Sequence, residues 1–118
     1  MYLNHSSAEQ TATELAAASG ADGRWLLCVA DRHGEDLPAL LAACNRHGLD
    51  VCGGIFPGLI QAGAGRDSGI VALPLPGGGQ VALARLGTDS LEWESAPPES
   101  GDTRFASSIL LVDCLAPN

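Results

Sequence analysis

Lysine is absent from this chain: all six basic residues are arginines, at positions 24, 32, 46, 66, 85 and 104. That excludes a phosphate-loop lysine, a Schiff-base lysine and a lysine general base. Aromatic residues are scarce, 4% against 46% hydrophobic overall, so the core must be built from Ala, Leu, Val and Ile. No apolar run approaches the roughly 18 residues of a membrane helix. No basic segment followed by an apolar run marks a secretory leader. None of the four cysteines (28, 44, 52 and 114) pairs as C-x-x-C. They read as small buried hydrophobes, and reduced thiols fit a cytoplasmic protein.

Positive charge is in deficit as well. Fourteen acidic residues against six basic ones leave a net charge of −8. With no basic cluster, nucleic acid and anionic membrane surfaces are excluded as partners, and the charge reads as a solvated surface.

What is present is one domain's worth of chain, 118 residues. Ser7 and Gln10 form an S-x-x-Q capping box, which predicts an Ala-rich helix to Ser19 that stops at Gly20. The run 24–30 (RWLLCVA) is continuously apolar, as in a strand covered on both faces. Asp36 caps a second helix, with Pro38 in its first turn. Its Leu37, Leu40, Leu41 and Cys44 recur at helical spacing, Arg46 and His47 suit its C-terminal dipole, and Gly48 ends it. Residues 49–52 then read as a second apolar strand, giving a βαβ unit with parallel strands.

Further on, 69–75 and 80–86 read as two strands joined through Pro76-Gly77-Gly78-Gly79 in a hairpin. Residues 87–103 read as a polar surface loop, and 108–114 (SILLVDC) as a last buried strand. In an α/β sheet such a strand is normally followed by a helix. The whole reads as an α/β fold: a βαβ unit in a mixed sheet with helices packed on it, plus an antiparallel hairpin. It further reads as a single domain, or an N-terminal fragment of a larger one.

The densest signal is 51–60, VCGGIFPGLI, in which an apolar run enters three glycines and a proline. Gly53, Gly54 and Gly58 suggest a loop of bare backbone, with Gly58 at positive φ. Ligands of open α/β sheets bind beyond the carboxyl ends of the strands. The candidate ligand-binding residues there are Asp31, Arg32 and His33 after the first strand, Gly53, Gly54 and Gly58 after the second, and Asp113 on the last. Charged side chains beside backbone N–H groups would suit a zwitterion such as an amino acid. The alternative stands beside it: Asp31 and Asp113 cap turns, and His33 faces water. His5, His33 and His47 share no metal-ligand spacing, so no metal site is expected. The stretch 63–69 (GAGRDSG) lacks a lysine and a following helix, and reads as a flexible connector. No cofactor motif and no catalytic constellation stands out.

At the glycine stretch the chain resembles a known family. Residues 51–60 resemble the G-C-S-x-x-G-E-I segment of FIST (F-box and intracellular signal transduction) domains, with Gly53 and Gly58 on its two glycines. The order of elements before it agrees, and Ile109–Asp113 resembles the family's V-D-G-L-S segment. The likeness spans most of the chain but only about the first half of a FIST N-terminal domain. Gly54 and Ile55 replace the family's cysteine and serine, Leu59 its glutamate, and Cys114 the glycine after Asp113.

The resemblance implies intracellular sensing of small molecules, amino acids among them, in signal transduction. Two other functions compete with it. One is a fragment of a hydrolase or transferase using Asp31, His33 or Asp113, which requires those side chains to be within reach of one another. The other is a structural interaction module, completed by a second copy, a partner chain or a C-terminal half.

Overall fold

The computed structural model describes residues 1–20, 23–75, 81–86, 90–94, 109 and 111. The chain divides into two compact units, Met1–Gly77 and Gly78–Asn118. The first contains β1 (Tyr2–Leu3), α1 (Ala8–Ala18), β2 (Arg24–Ala30), a 3-10 segment (Asp31–Asp36), α2 (Leu37–Arg46), β3 (Asp50–Phe56), β4 (Leu59–Gln61), β5 (Ala64–Arg66) and β6 (Ile70–Pro74). Among the described residues the second contains a hairpin of β7 (Ala84–Leu86) and β8 (Leu91–Trp93). This is an α/β fold, and no helix of the described residues is long and apolar enough to cross a membrane.

The main sheet has four strands in the order β1-β6-β2-β3. β2 and β3 run parallel around α2, as the apolar pattern predicts, while β6 is antiparallel to both β1 and β2. The predicted hairpin of 69–75 with 80–86 is therefore corrected. Both edges of β6 are already occupied, by β1 and β2, and hairpins form elsewhere, at β4–β5 and β7–β8. The connecting turn predicted at 76–79 lies outside the described residues. Part of the predicted loop 87–103 is a strand, β8. Of the predicted strand 108–114 only Ile109 and Leu111 are described; both are exposed, so neither belongs to a core.

One face of the sheet carries Trp25, Leu27, Val29, Leu3, Ile70 and Ala72, and both helices pack on it. α1 contributes Ala12 and Leu15, and α2 contributes Leu40, Ala43 and Cys44. Ser7 caps α1 by accepting the Gln10 N–H at 3.2 Å. Only half of the capping box forms, because the Gln10 side chain turns to Ser6 and Glu14 instead. At the other end Ser19 is extended and does the work expected of Gly20. Its hydroxyl donates to the Leu15 carbonyl at 2.7 Å and accepts from Trp25 Nε1 at 2.8 Å, which ties α1 to β2. Trp25 is 4% exposed, so Ser19→Ala would strand a buried indole N–H. We expect a loss of about 1–3 kcal/mol in denaturant unfolding.

α2 begins differently from expectation. The chain enters it through the 3-10 segment, Asp36 is itself helical, and its carboxylate makes no cap. At its C-terminus Gly48 takes φ +69°, as a helix-ending glycine should. Arg46 and His47 both reach Glu9 of α1, at 2.6 and 2.9 Å. Arg46 foremost, then His47, holds the exposed Glu9 carboxyl below its ordinary range.

The predicted flexible connector is a tight hairpin. β4 and β5 are joined by Ala62 and Gly63 alone, both at positive φ (51° and 78°). Such a turn suits Asn-Gly, and alanine is strained there. Ala62→Asn is expected to raise stability by about 0.5–1 kcal/mol, checked by the denaturation midpoint.

Candidate functional site

The glycine stretch is not a loop. Gly53 and Gly54 lie inside β3, in register with Leu27 and Cys28 of β2, and the corner follows only at Pro57-Gly58. β3 is an edge strand of the four-stranded sheet. Gly53 has φ +146°, and a Cβ there would lie 1.8 Å from the Leu27 carbonyl oxygen. Glycine is obligatory at 53 because β2 backbone occupies the side-chain position. Gly58 is corrected in the opposite sense: its φ is not positive, and an added Cβ would make only an ordinary 3.7 Å contact with Arg66.

The bare backbone of β3 borders a cavity of about 220 Å³ between the sheet and α2. Leu27 and Val29 of β2, Leu37 and Leu41 of α2, and Val51, Cys52, Gly53 and Gly54 of β3 line it. Leu41 belongs to the predicted apolar face of α2 yet is 41% exposed, because at this position α2 faces the cavity and not the core. Apart from the Cys52 thiol, the lining side chains are aliphatic. Burial pushes the Cys52 thiol above its ordinary range, with Asp50 adding to the shift. Cys28 and Cys44 are raised by burial too, so all three described cysteines are protonated near neutrality and act as packing groups.

The charged candidates lie apart from this cavity. Asp31 and Arg32 are exposed on the 3-10 segment and line no part of it. His33 turns instead to the start of β6, where its Nε2 accepts the Gly69 N–H at 3.0 Å. Its ring also meets His5 edge to face, with centroids 4.8 Å apart. His5 bonds Thr11 through Nδ1 at 2.8 Å, and its Nε2 lies 3.5 Å from Asp36. Asp113 lies outside the described residues. The predicted site thus splits: Gly53 and Gly54 border the cavity, His33 joins a half-buried polar cluster, and Asp31, Arg32 and Gly58 join neither.

Sequence spacing gives no hint of the His5–His33–Asp36 cluster, whose members come together only through the fold. Their donor atoms lie within 4.8 Å of one another, which raises a metal site. The hydrogen bonds do not fit one. A backbone N–H can only donate, so the Gly69 bond takes the lone pair of His33 Nε2, and the neutral ring then carries its proton on Nδ1. Neither nitrogen of His33 is left to ligate. The Thr11 hydroxyl, 2.8 Å from His5 Nδ1, is the nucleophile-type group in contact with the cluster, but Thr11 is 2% exposed and closed to a substrate.

No family model matches the chain, and no curated protein or solved structure is significantly similar to it.

Proposed function

We propose that this chain is a small-molecule-binding domain whose site is the aliphatic cavity between α2 and β3. The observation that carries this is the lining itself: Leu27, Val29, Leu37, Leu41 and Val51 converge on the bare Gly53–Gly54 backbone of a sheet edge. A concave apolar site with few polar groups is the usual form of a ligand pocket. At about 220 Å³ it is somewhat larger than a cavity that holds benzene, roughly 150 Å³. Its ligand is a compact apolar molecule or the apolar part of a larger one.

An amino acid would enter by an aliphatic or aromatic side chain. Its ammonium and carboxylate find no charged partner among the lining residues, and buried unpaired charge is costly. They would stay at the mouth, in water. The resemblance to FIST domains supports a sensory role of this kind, in a cytoplasmic signalling protein. Of the residues the enzyme alternative relies on, Asp31 is exposed on the 3-10 segment while His33 turns to Gly69, and Asp113 lies outside the described residues.

The test is a thermal-shift screen of apolar metabolites alongside aliphatic, aromatic and charged amino acids. A stabilising shift is expected from apolar and aliphatic compounds, growing with concentration as ligation of the folded state requires. Stabilisation by charged amino acids alone would overturn the assignment of the site.

A further inference from the structure

The His5–His33 pair has no part in the cavity, yet it joins two half-buried titratable rings from distant parts of the chain. The His5 side chain is 2% exposed. It sits on the connection between β1 and α1 and is held by the Thr11 hydroxyl of α1. From the 3-10 segment the His33 ring and the Asp36 carboxylate face it, and Asp36 is largely exposed. His33 in turn holds Gly69, whose carbonyl accepts the Ala30 N–H at 3.1 Å. Gly69 has φ +86° and lies against β1: a Cβ there would be 2.5 Å from Tyr2 Oη and 2.7 Å from the Leu3 carbonyl. The charges on that side are Arg66, whose guanidinium is 5.6 Å from the Tyr2 ring centre, and Asp67, two residues before Gly69. His33 therefore joins the end of β2, the beginning of β6 and the connection into α1.

From this geometry we infer that the histidine pair is a proton-sensitive latch between the 3-10 segment and the start of β6, closed only while His33 is neutral. The Gly69 N–H is a donor and needs the Nε2 lone pair. A proton on that nitrogen sets donor against donor, and the bond is lost. The ring contact adds a second constraint, since two imidazolium rings 4.8 Å apart repel at a half-buried site. Asp36 offsets one positive charge and not two. Acid thus releases His33 from Gly69 and frees the 3-10 segment that leads into α2.

The stability consequence carries a definite sign. Burial foremost, then His33, lowers the His5 pKa from 6.5, and Asp36 only partly opposes this. The unfolded chain therefore binds more protons than the folded one as pH falls through 6.5. Stability from this group is intact above that value and declines below it, levelling only once folded His5 is itself protonated.

The experiment uses the full chain labelled with 15N, followed from about pH 7.5 to about pH 5, the range over which histidines titrate. Gly69 amide-exchange protection, corrected for the intrinsic pH dependence, is expected to fall at least about tenfold, in step with protonation of the His33 ring. In His33→Gln the side-chain carbonyl can accept the same N–H without titrating, and Gly69 protection is expected to be independent of pH. Wild-type Gly69 protection that stays constant over this range overturns the latch, whether or not the ring protonates. So does a folded His33→Gln protein with the wild-type pH response. If His33→Gln does not fold, the wild-type measurement decides alone.

Discussion

Gly53→Ala is expected to be the most damaging glycine-to-alanine change among the described residues. The added Cβ would lie 1.8 Å from the Leu27 carbonyl oxygen and 2.7 Å from its carbonyl carbon. No rotamer relieves this, because both partners are backbone. Either β3 swings away from β2, breaking the parallel ladder, or Gly53 leaves φ +146° and the strand reshapes. Strained dihedrals and overpacking each cost about 1–3 kcal/mol, so about 2–6 kcal/mol is expected in total. For a unit of this size that lowers the melting temperature by roughly 8–48 °C. Gly58→Ala is the control. It meets only an ordinary 3.7 Å contact at a negative φ, and its melting temperature should move by less than about 4 °C. Equal damage from both substitutions would show that β3 is not paired as described.

The second large effect concerns binding rather than stability. Leu41 is 41% exposed on α2 and lines the cavity. Leu41→Trp places a larger ring where a ligand would sit, without disturbing Leu40, Ala43 or Cys44 in the core behind it. Affinity for the apolar compounds found by screening is expected to fall at least about tenfold, near 1.4 kcal/mol. Chemical denaturation should show a change within about 0.5 kcal/mol, as for a surface substitution. Titration calorimetry on both proteins measures the difference. Unchanged affinity would place the ligand elsewhere.

How far the sequence carried the description depends on whether a signal was local. The βαβ unit was legible because residues 25–30 (WLLCVA) are an unbroken apolar run and Gly48 stops α2 at positive φ. Both are properties of a few neighbouring residues. The glycines misled for the same reason. Gly is depleted in strands and common in loops, so Gly53-Gly54 reads as a turn. Pairing with Leu27 and Cys28 overrides that propensity, and the β-formers Val51 and Ile55 flank the pair. The hairpin at Ala62-Gly63 carries no Asn-Gly signal. β1 is two residues long, too short for any pattern, yet it takes the outer edge of β6 and so prevents the expected pairing. The histidine cluster depends on packing between distant elements, and nothing in residue spacing anticipates it. The cavity was half legible: its glycine edge was singled out, but the aliphatic wall from α2 reads as ordinary core until α2 is placed.

The ligand site we propose is the aliphatic cavity between α2 and β3. Methyl and amide chemical-shift mapping tests it most directly, titrating a labelled full chain with an apolar compound and then with a charged amino acid. The apolar compound is expected to shift the methyls of Leu27, Val29, Leu37, Leu41 and Val51 and the amides of Gly53 and Gly54, saturably. Shifts gathered at Asp31, Arg32 and His33 with the charged amino acid, and none in the cavity with either compound, would contradict it.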